Sequence, residues 1–298
     1  MRVRLYFCSG CGIMGVMEIK KAIISVAGWG TRRLPITKVI EKAMLPIGNR
    51  PIVDYIVEDC ARAGLRELYI VTDEKPESQV RAYYENNPAL ARYLIARGKE
   101  DRMELLDTRP GGVMMHFWGQ KDIDKKYGTA APVAQVVEQY GINETCVVLS
   151  GDDFIWSAEG KSDMGELVRT LGAGESGLLG VEVPKEDVSR YGVLEVEGDK
   201  LVGLVEKPKT EEAPSNLINV SKYVMSAELL QMVVEYCRDN HFGPRDQEYM
   251  ITDPIFEYVK RGGVMRVRKA EGTYLDGGSV EGWMRANEVV LGGEKKPA

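Results

Sequence analysis

The run Ala22-Ile23-Ile24-Ser25-Val26 constrains the fold more than any other stretch of the chain. It is apolar at nearly every position, so it has no polar face to turn toward water and must be covered on both sides, as strands of parallel sheets are. A glycine-bearing loop follows, Ala27-Gly28-Trp29-Gly30-Thr31-Arg32. From about Pro51 a helix is expected, because Ile52, Val53, Ile56, Val57, Cys60 and Ala61 fall on one face and Gly64 is placed to end it. Leu68-Tyr69-Ile70-Val71 reads as a second strand. Strand, helix and strand make a βαβ unit, for which a right-handed crossover is expected.

Between about Lys75 and Lys126 the pattern turns charged and irregular, with helical stretches. A helix is expected from Gly128, bearing Ala131, Ala134 and Val137, and Cys146-Val147-Val148-Leu149 is again a buried strand, ending at Ser150-Gly151-Asp152-Asp153. Leu178 to Val183 reads as a further strand, and Val193 to Val196 with Leu201 to Val205 as a hairpin about Glu197-Gly198-Asp199-Lys200. Helices and a strand at Val264-Met265-Arg266-Val267 complete the order. Neither a repeat nor a Pro/Gly/Ser linker interrupts it, so one mixed α/β domain is expected over residues 17–292.

At 298 residues the chain is long enough for one large α/β domain or two modest ones. A formal net charge of −6 argues against nucleic acid as a partner, since such proteins are normally basic. Any bound phosphate must then be met by a few local cations, a metal and backbone N–H groups. The five cysteines, Cys8, Cys11, Cys60, Cys146 and Cys237, are odd in number and irregularly spaced, which argues for a reducing compartment; a cytoplasmic location is expected. No second pair of ligands accompanies Cys8 and Cys11, so a structural zinc site is disfavoured. With only His116 and His241, there is little material for a triad or a histidine-rich metal centre. No apolar run approaches the ~18 residues of a membrane span. Residues 1–16 lack the apolar core of a secretory signal and any periodicity, and read as an extension outside the fold, with Met17 as the natural start and residues 293–298 as a tail.

In the first loop, Gly28 and Gly30 let the backbone approach a ligand closely. A dinucleotide fingerprint requires a third glycine three positions after Gly30, and Arg33 stands there, so that alternative loses its main support. Thr31-Arg32 instead offers a hydroxyl and a fixed cation, which suits the phosphates of a nucleoside triphosphate.

The loop Gly28-Trp29-Gly30-Thr31-Arg32-Arg33-Leu34-Pro35-Ile36-Thr37-Lys38, with Lys42-Ala43-Met44-Leu45-Pro46 after it, resembles the signature of sugar-1-phosphate nucleotidyltransferases, and in particular the bacterial UTP–glucose-1-phosphate uridylyltransferases. The resemblance recurs in order at Gly128-Thr129-Ala130, Gly151-Asp152-Asp153, Tyr191-Gly192-Val193, Val205-Glu206-Lys207-Pro208-Lys209, Ala213-Pro214-Ser215-Asn216-Leu217, Thr252-Asp253 and Asp276-Gly277-Gly278. It implies a Rossmann-like α/β fold, a mixed and mainly parallel sheet flanked by helices. A nucleotide half is expected at about 17–155 and a sugar-phosphate half at about 156–292. It also implies UTP and glucose 1-phosphate as substrates, Mg²⁺ as cofactor, and self-association as a dimer or tetramer.

The resemblance also assigns roles. Lys42 lies near the α-phosphate and Arg32 serves the leaving pyrophosphate, whose oxygens suit a planar fork. Ala27, Gly28, Gly30 and Thr31 belong to the nucleotide site, with Gln120 and Gly128 reading the pyrimidine edge. The spacing between those last two is one residue longer than the family's. Gly192, Glu206 and Lys207 hold the sugar phosphate, and Asp152 and Asp276 hold the metal, Mg²⁺ taking few protein ligands. Asp153 reads as a turn cap. Two departures stand out. The family's Pro-Lys-Glu-Met-Leu-Pro is Glu41-Lys42-Ala43-Met44-Leu45-Pro46 here, and Val280 replaces a lysine after the second aspartate. Glu41 either orients Lys42 or faces solvent. Transfer from dTTP or to another hexose 1-phosphate, and a non-catalytic regulatory paralogue, are the alternatives.

Overall fold

The computed structural model describes residues 18–74, 77–121, 127–242 and 248–293. The expected 1–16 extension, Met17, and residues 294–298 of the tail lie outside the described residues.

The first apolar run forms β1 (Lys21–Ser25), with Ala22 and Ile24 in one hydrophobic cluster and Ile23 in another. The strand is thus covered on both faces, as its composition demands. A short hairpin, β2 (Pro46–Ile47) and β3 (Arg50–Pro51), leads into α1 (Ile52–Arg62), which buries Ile52, Val53, Ile56, Val57 and Cys60. The helix closes through Gly64 at φ 89°, with the Leu65 N–H donating to the Cys60 carbonyl at 3.0 Å. β4 (Glu67–Asp73) then runs parallel to β1, Ile23 beside Tyr69.

The irregular stretch holds α2 (Gln79–Tyr84), α3 (Pro88–Ala96) and a strand not anticipated from sequence, β5 (Met114–Gln120), parallel to β4. As the edge strand of the sheet β5 is partly exposed throughout, so it shows neither the apolar run of a buried strand nor strict alternation. α4 (Ala130–Tyr140) starts two residues after Gly128, and β6 (Cys146–Ser150) pairs parallel to β1 on its other side. Next come β7 (Asp153–Trp156), α5 (Asp163–Thr170), β8 (Ser176–Glu182), the hairpin β9 (Gly192–Glu197) and β10 (Lys200–Glu206), and β11 (Leu217–Met225). After them follow α6 (Ala227–Asp239), α7 (Thr252–Lys260), β12 (Met265–Lys269), β13 (Thr273–Asp276) and α8 (Val280–Gly293).

Nine strands form one sheet in the order β5-β4-β1-β6-β11-β8-β12-β10-β9. The first four are mutually parallel, while β11 runs antiparallel to both of its neighbours. Residues of α1, α5 and α8 cover one face, and residues of α4, α6 and α7 the other. The expected mixed sheet flanked by helices is therefore present, but it is not mainly parallel: β12 pairs parallel with β8, while β11, β10 and β9 make antiparallel pairings, so parallel pairing prevails only in the first half. Among the described residues no helix is long and apolar enough to cross a membrane.

β11 escaped the sequence because Asn219, Ser221 and Lys222 interrupt its apolar pattern, and its register slips between Asn219 and Tyr223 with Ser221 at φ 49°. Lys222 is buried and donates to the Asp153 carboxylate, with the Ser150 carbonyl 3.4 Å away. Asp153 corrects an expectation: it does not cap a turn but opens β7 as a buried carboxylate, bonded also by the Tyr274 hydroxyl at 2.8 Å. Removing one partner of a buried pair strands the other charge, so Lys222→Ala should lower the unfolding free energy by about 3–5 kcal/mol. The double variant Lys222→Met, Asp153→Leu should recover most of it, as urea denaturation will read.

Candidate active site

The carboxyl ends of β1, β4, β5 and β6 lie side by side, since Ser25 is level with Val71 and Ser150, and Asp73 with Gln120. Open α/β sheets hold their ligands at this edge, where the loops leaving parallel strands diverge. A cavity of about 920 Å³ opens there. All of the sequence-derived nucleotide residues line it: Ala27, Gly28, Gly30, Thr31, Gln120 and Gly128, together with Arg32, Lys42 and Asp152.

Close backbone packing shapes its walls. Gly30 sits at φ 57°, and a Cβ on it would lie 3.0 Å from the Thr37 methyl and 3.2 Å from the Lys42 Cβ. Thr37 in turn donates to the Gly30 carbonyl at 2.8 Å, which folds the loop back toward Lys42. On the opposite lip, Gly128 at φ 129° lies against the backbone of Tyr249. Three bonds stitch that lip: Tyr249 N–H to the Tyr127 carbonyl (2.7 Å), Ala130 N–H to the Tyr249 carbonyl (2.8 Å), and Ile251 N–H to the Thr129 hydroxyl (2.9 Å). Sequence reasoning missed Asp73, whose Oδ1 accepts the Gly28 N–H at 2.8 Å. Its place at the end of a parallel strand was the available signal.

Charge gathers at one end of the cavity. The Lys42 ammonium, its side chain 16% exposed, pairs with the Asp152 carboxylate, which also accepts the Ser150 hydroxyl. Burial lowers the Lys42 pKa to about 8, and the Arg32 charge adds to the effect, against the opposing pull of Asp153 and Asp276. Asp276 ends β13 directly opposite Asp153 on β7, and the Gly277 N–H donates to the Asp152 carbonyl at 3.0 Å. Two residues distant in sequence are thus held on neighbouring backbones. The Asp276 carboxylate accepts the Gly278 N–H at 2.6 Å, and a Cβ on Gly278 would lie 3.6 Å from an Arg32 nitrogen, so Arg32 reaches the same corner. Next to it the buried Arg33 guanidinium donates to the Ser279 carbonyl and lies over the Trp283 ring at 5.4 Å, tying the loop to α8.

As a metal site, Asp152 and Asp276 offer two hard carboxylates, a donor set that fits a divalent cation whose remaining ligands are water and phosphate oxygens. Among the described residues no cluster of three or more metal-binding side chains exists. Any ion there would rest on few protein ligands.

Gly192, Glu206 and Lys207 are held together but outside the cavity lining. Gly192 faces Glu206 across the hairpin, and a Cβ on it would come within 2.8 Å of the Glu206 carboxylate. Lys207, at φ 46°, donates its N–H to the Tyr191 carbonyl at 3.0 Å, and its exposed ammonium lies 3.9 Å from Glu206. Tyr191 connects this group to the aspartates: burial raises its pKa, and Asp276 lies close enough to add to the shift.

A sequence profile of the nucleotidyl transferase family matches residues 21–292. A UTP–glucose-1-phosphate uridylyltransferase of Streptococcus pyogenes is 32% identical over 91% of this chain and 88% of its own. Among solved structures, a UTP-bound UGPase from Acinetobacter baumannii superposes with a TM-score of 0.80 at 26% identity, over 94% of this chain and 95% of its own. A UDP-glucose pyrophosphorylase complexed with UDP-glucose gives 0.73 at 29% identity, over 92% and 99%.

The close approach at Gly128 can be tested directly. In Gly128→Ala the new Cβ would meet the Tyr249 backbone nitrogen at 2.5 Å, which only a main-chain shift relieves. Overpacking of this kind costs about 1–3 kcal/mol. Gly111→Ala, with nothing within 4 Å, should stay within about 0.5 kcal/mol of the parent in the same denaturation experiment.

Proposed function

The chain belongs to the nucleotidyl transferase family, and from that premise we propose that it transfers the uridylyl group of UTP to glucose 1-phosphate, releasing pyrophosphate and forming UDP-glucose. The observation that carries this reading is that Arg32, Lys42 and Asp152 line one cavity at the carboxyl ends of parallel strands, with Asp276 outside that lining on the strand whose next residue bonds the Asp152 carbonyl. The named relatives support the choice of UTP and glucose 1-phosphate over other nucleotide and hexose pairs.

The reaction joins a phosphate oxygen of the sugar phosphate to the α-phosphorus of UTP, and the bond from that phosphorus to the β-phosphate bridge breaks. A phosphate monoester, with a second pKa of about 6, is already largely dianionic at neutral pH, so no general base is required. The obstacle is the meeting of two polyanions, which calls for positioning and charge stabilisation. Lys42 answers the second need. It is paired with Asp152 and its charge is disfavoured by Arg32, and an arriving polyphosphate gives both cations an anionic partner. Arg32 takes the departing pyrophosphate oxygens, for which its planar fork is suited. Gly28 and Gly30 bring main chain close to the nucleotide, while Glu206 and Lys207 hold the sugar phosphate from the hairpin. Family members generally use a divalent metal; here Asp152 and Asp276 would hold Mg²⁺, which supplies charge neutralisation at the phosphates.

Pyrophosphate release measured across UTP, dTTP and other triphosphates with several hexose 1-phosphates tests the pairing; a preference for another pair would overturn it. Lys42→Ala should lower kcat by about 10²–10³ and raise the KM for UTP far less, because its stabilisation is exerted mainly in the transition state. Lys42→Arg should restore little. Asp276→Asn should keep the fold and lose nearly all metal-dependent turnover, and its affinity for Mn²⁺ as a probe ion should fall in a direct binding titration.

A further inference from the structure

Glu41 stands immediately before the reaction-centre lysine, where the resembled signature has proline, and it neither touches the Lys42 ammonium nor faces solvent freely. Its carboxylate reaches across to the start of α2 and accepts three hydrogen bonds: from the Ser78 hydroxyl (3.1 Å), the Gln79 N–H (3.1 Å) and the Val80 N–H (3.1 Å). Gln79 answers in the other direction. Its side-chain oxygen accepts the Glu41 N–H at 2.8 Å, and its amide nitrogen donates to the Val39 carbonyl at 2.9 Å. Five bonds thus run between two segments about 38 positions apart, each supplying donors and acceptors to the other. A carboxylate on the open N–H groups of a helix start is favourable both as a cap and against the helix dipole. Ser78 and Val80 are buried, so this anchor is itself set in the core.

The consequence falls on Lys42. The Glu41 carbonyl accepts the Met44 N–H at 2.8 Å and begins the single turn Lys42–Met44, whose Ala43 is buried and is followed by buried Leu45. With its N–H held by Gln79, its carbonyl by Met44 and its carboxylate by residues 78–80, Glu41 is fixed on every side, and Lys42 is the next residue along the chain. We propose that Glu41 and Gln79 form a reciprocal clamp that positions Lys42 at the reacting phosphate, doing through hydrogen bonds what a proline ring would do covalently. Glu41 is in this view a positioning residue that acts only through Lys42, and the inference rests on the role given to Lys42 above.

A double-mutant cycle tests it, using the full chain, UTP, glucose 1-phosphate and pyrophosphate release at saturating substrates. Small misplacements of a catalytic group cost as much as about a hundredfold in rate, so Glu41→Ala should lower kcat between about tenfold and a hundredfold with the KM for UTP nearly unchanged. Gln79→Ala, which leaves the carboxylate in place, should do the same to a smaller degree and guards against a Glu41 variant that fails to fold. Glu41→Gln, which keeps one acceptor, should fall between Glu41→Ala and the parent. Against a Lys42→Ala background, Glu41→Ala should cost nothing further. If Glu41→Ala lowers only the melting temperature and leaves kcat intact while Lys42→Ala is crippled, the clamp is a structural cap and the proposal fails alone. Additive losses in the double variant also overturn it. If Lys42→Ala turns over at the parent rate, the role of Lys42 falls and the clamp falls with it.

Discussion

The buried ion pair between Lys222 and Asp153 is the interaction on which the arrangement of the site depends. It lies at the seam where the parallel part of the sheet gives way to β11, which runs antiparallel between β6 and β8. Two charges in the interior are tolerated only when their geometry is good and their remaining bonding capacity is used, and here the Tyr274 hydroxyl completes the shell of Asp153. The pair therefore admits few alternative placements of β7 against β11. From it follows the register of β7 with β13, which sets Asp276 opposite Asp153 and the Gly277 N–H on the Asp152 carbonyl. Asp152 is the neighbour of one partner of the pair and Asp276 faces it across a two-stranded ladder.

Around those aspartates an acidic protein assembles a local excess of cations. The formal net charge is −6, yet Arg32 stands close enough to Lys42 to disfavour the lysine's charge. Burial is the larger part of the penalty on Lys42, and Asp153 and Asp276 offset some of it. A buried ammonium beside a second cation is a group whose charged form an anionic partner stabilises. Arg33 serves the architecture instead. Buried under Trp283 and bonded to Ser279, it fastens the loop to α8 and to the segment that follows Asp276.

The strands β1, β4 and β6, the helix α1 and its glycine stop were legible because each carries its signal in a dozen residues or fewer. A doubly covered strand must be apolar throughout, and a half-buried helix must repeat its apolar positions every three or four residues. β5 and β11 carried no such signal. The first is an edge strand and the second holds a buried lysine, so their neighbours in space, not their own composition, make them strands. Gly28, Gly30 and Thr31 were legible through a long contiguous signature, Gly128 through a separate short motif and Gln120 only through its spacing from Gly128; all line one cavity. Glu206 and Lys207 were legible as a motif, but their exposed position on a hairpin beyond that cavity was not.

The sequence by itself thus determined the strand–helix–strand order of the first βαβ unit and its covered faces, and which charged residues stand beside which glycines along the loops. Tertiary structure alone decided the partners: that Asp153 meets Lys222 and does not cap a turn, that Asp73 accepts the Gly28 N–H, and that Glu41 closes on α2. The physical reason is range. Periodicity and turn chemistry act over a few residues, and so can be read along the chain. In these three cases the partner of a polar group is brought to it from 38 to 69 positions away by the packing of the chain, and a charged side chain in one dimension gives no sign of which group will stand beside it in three.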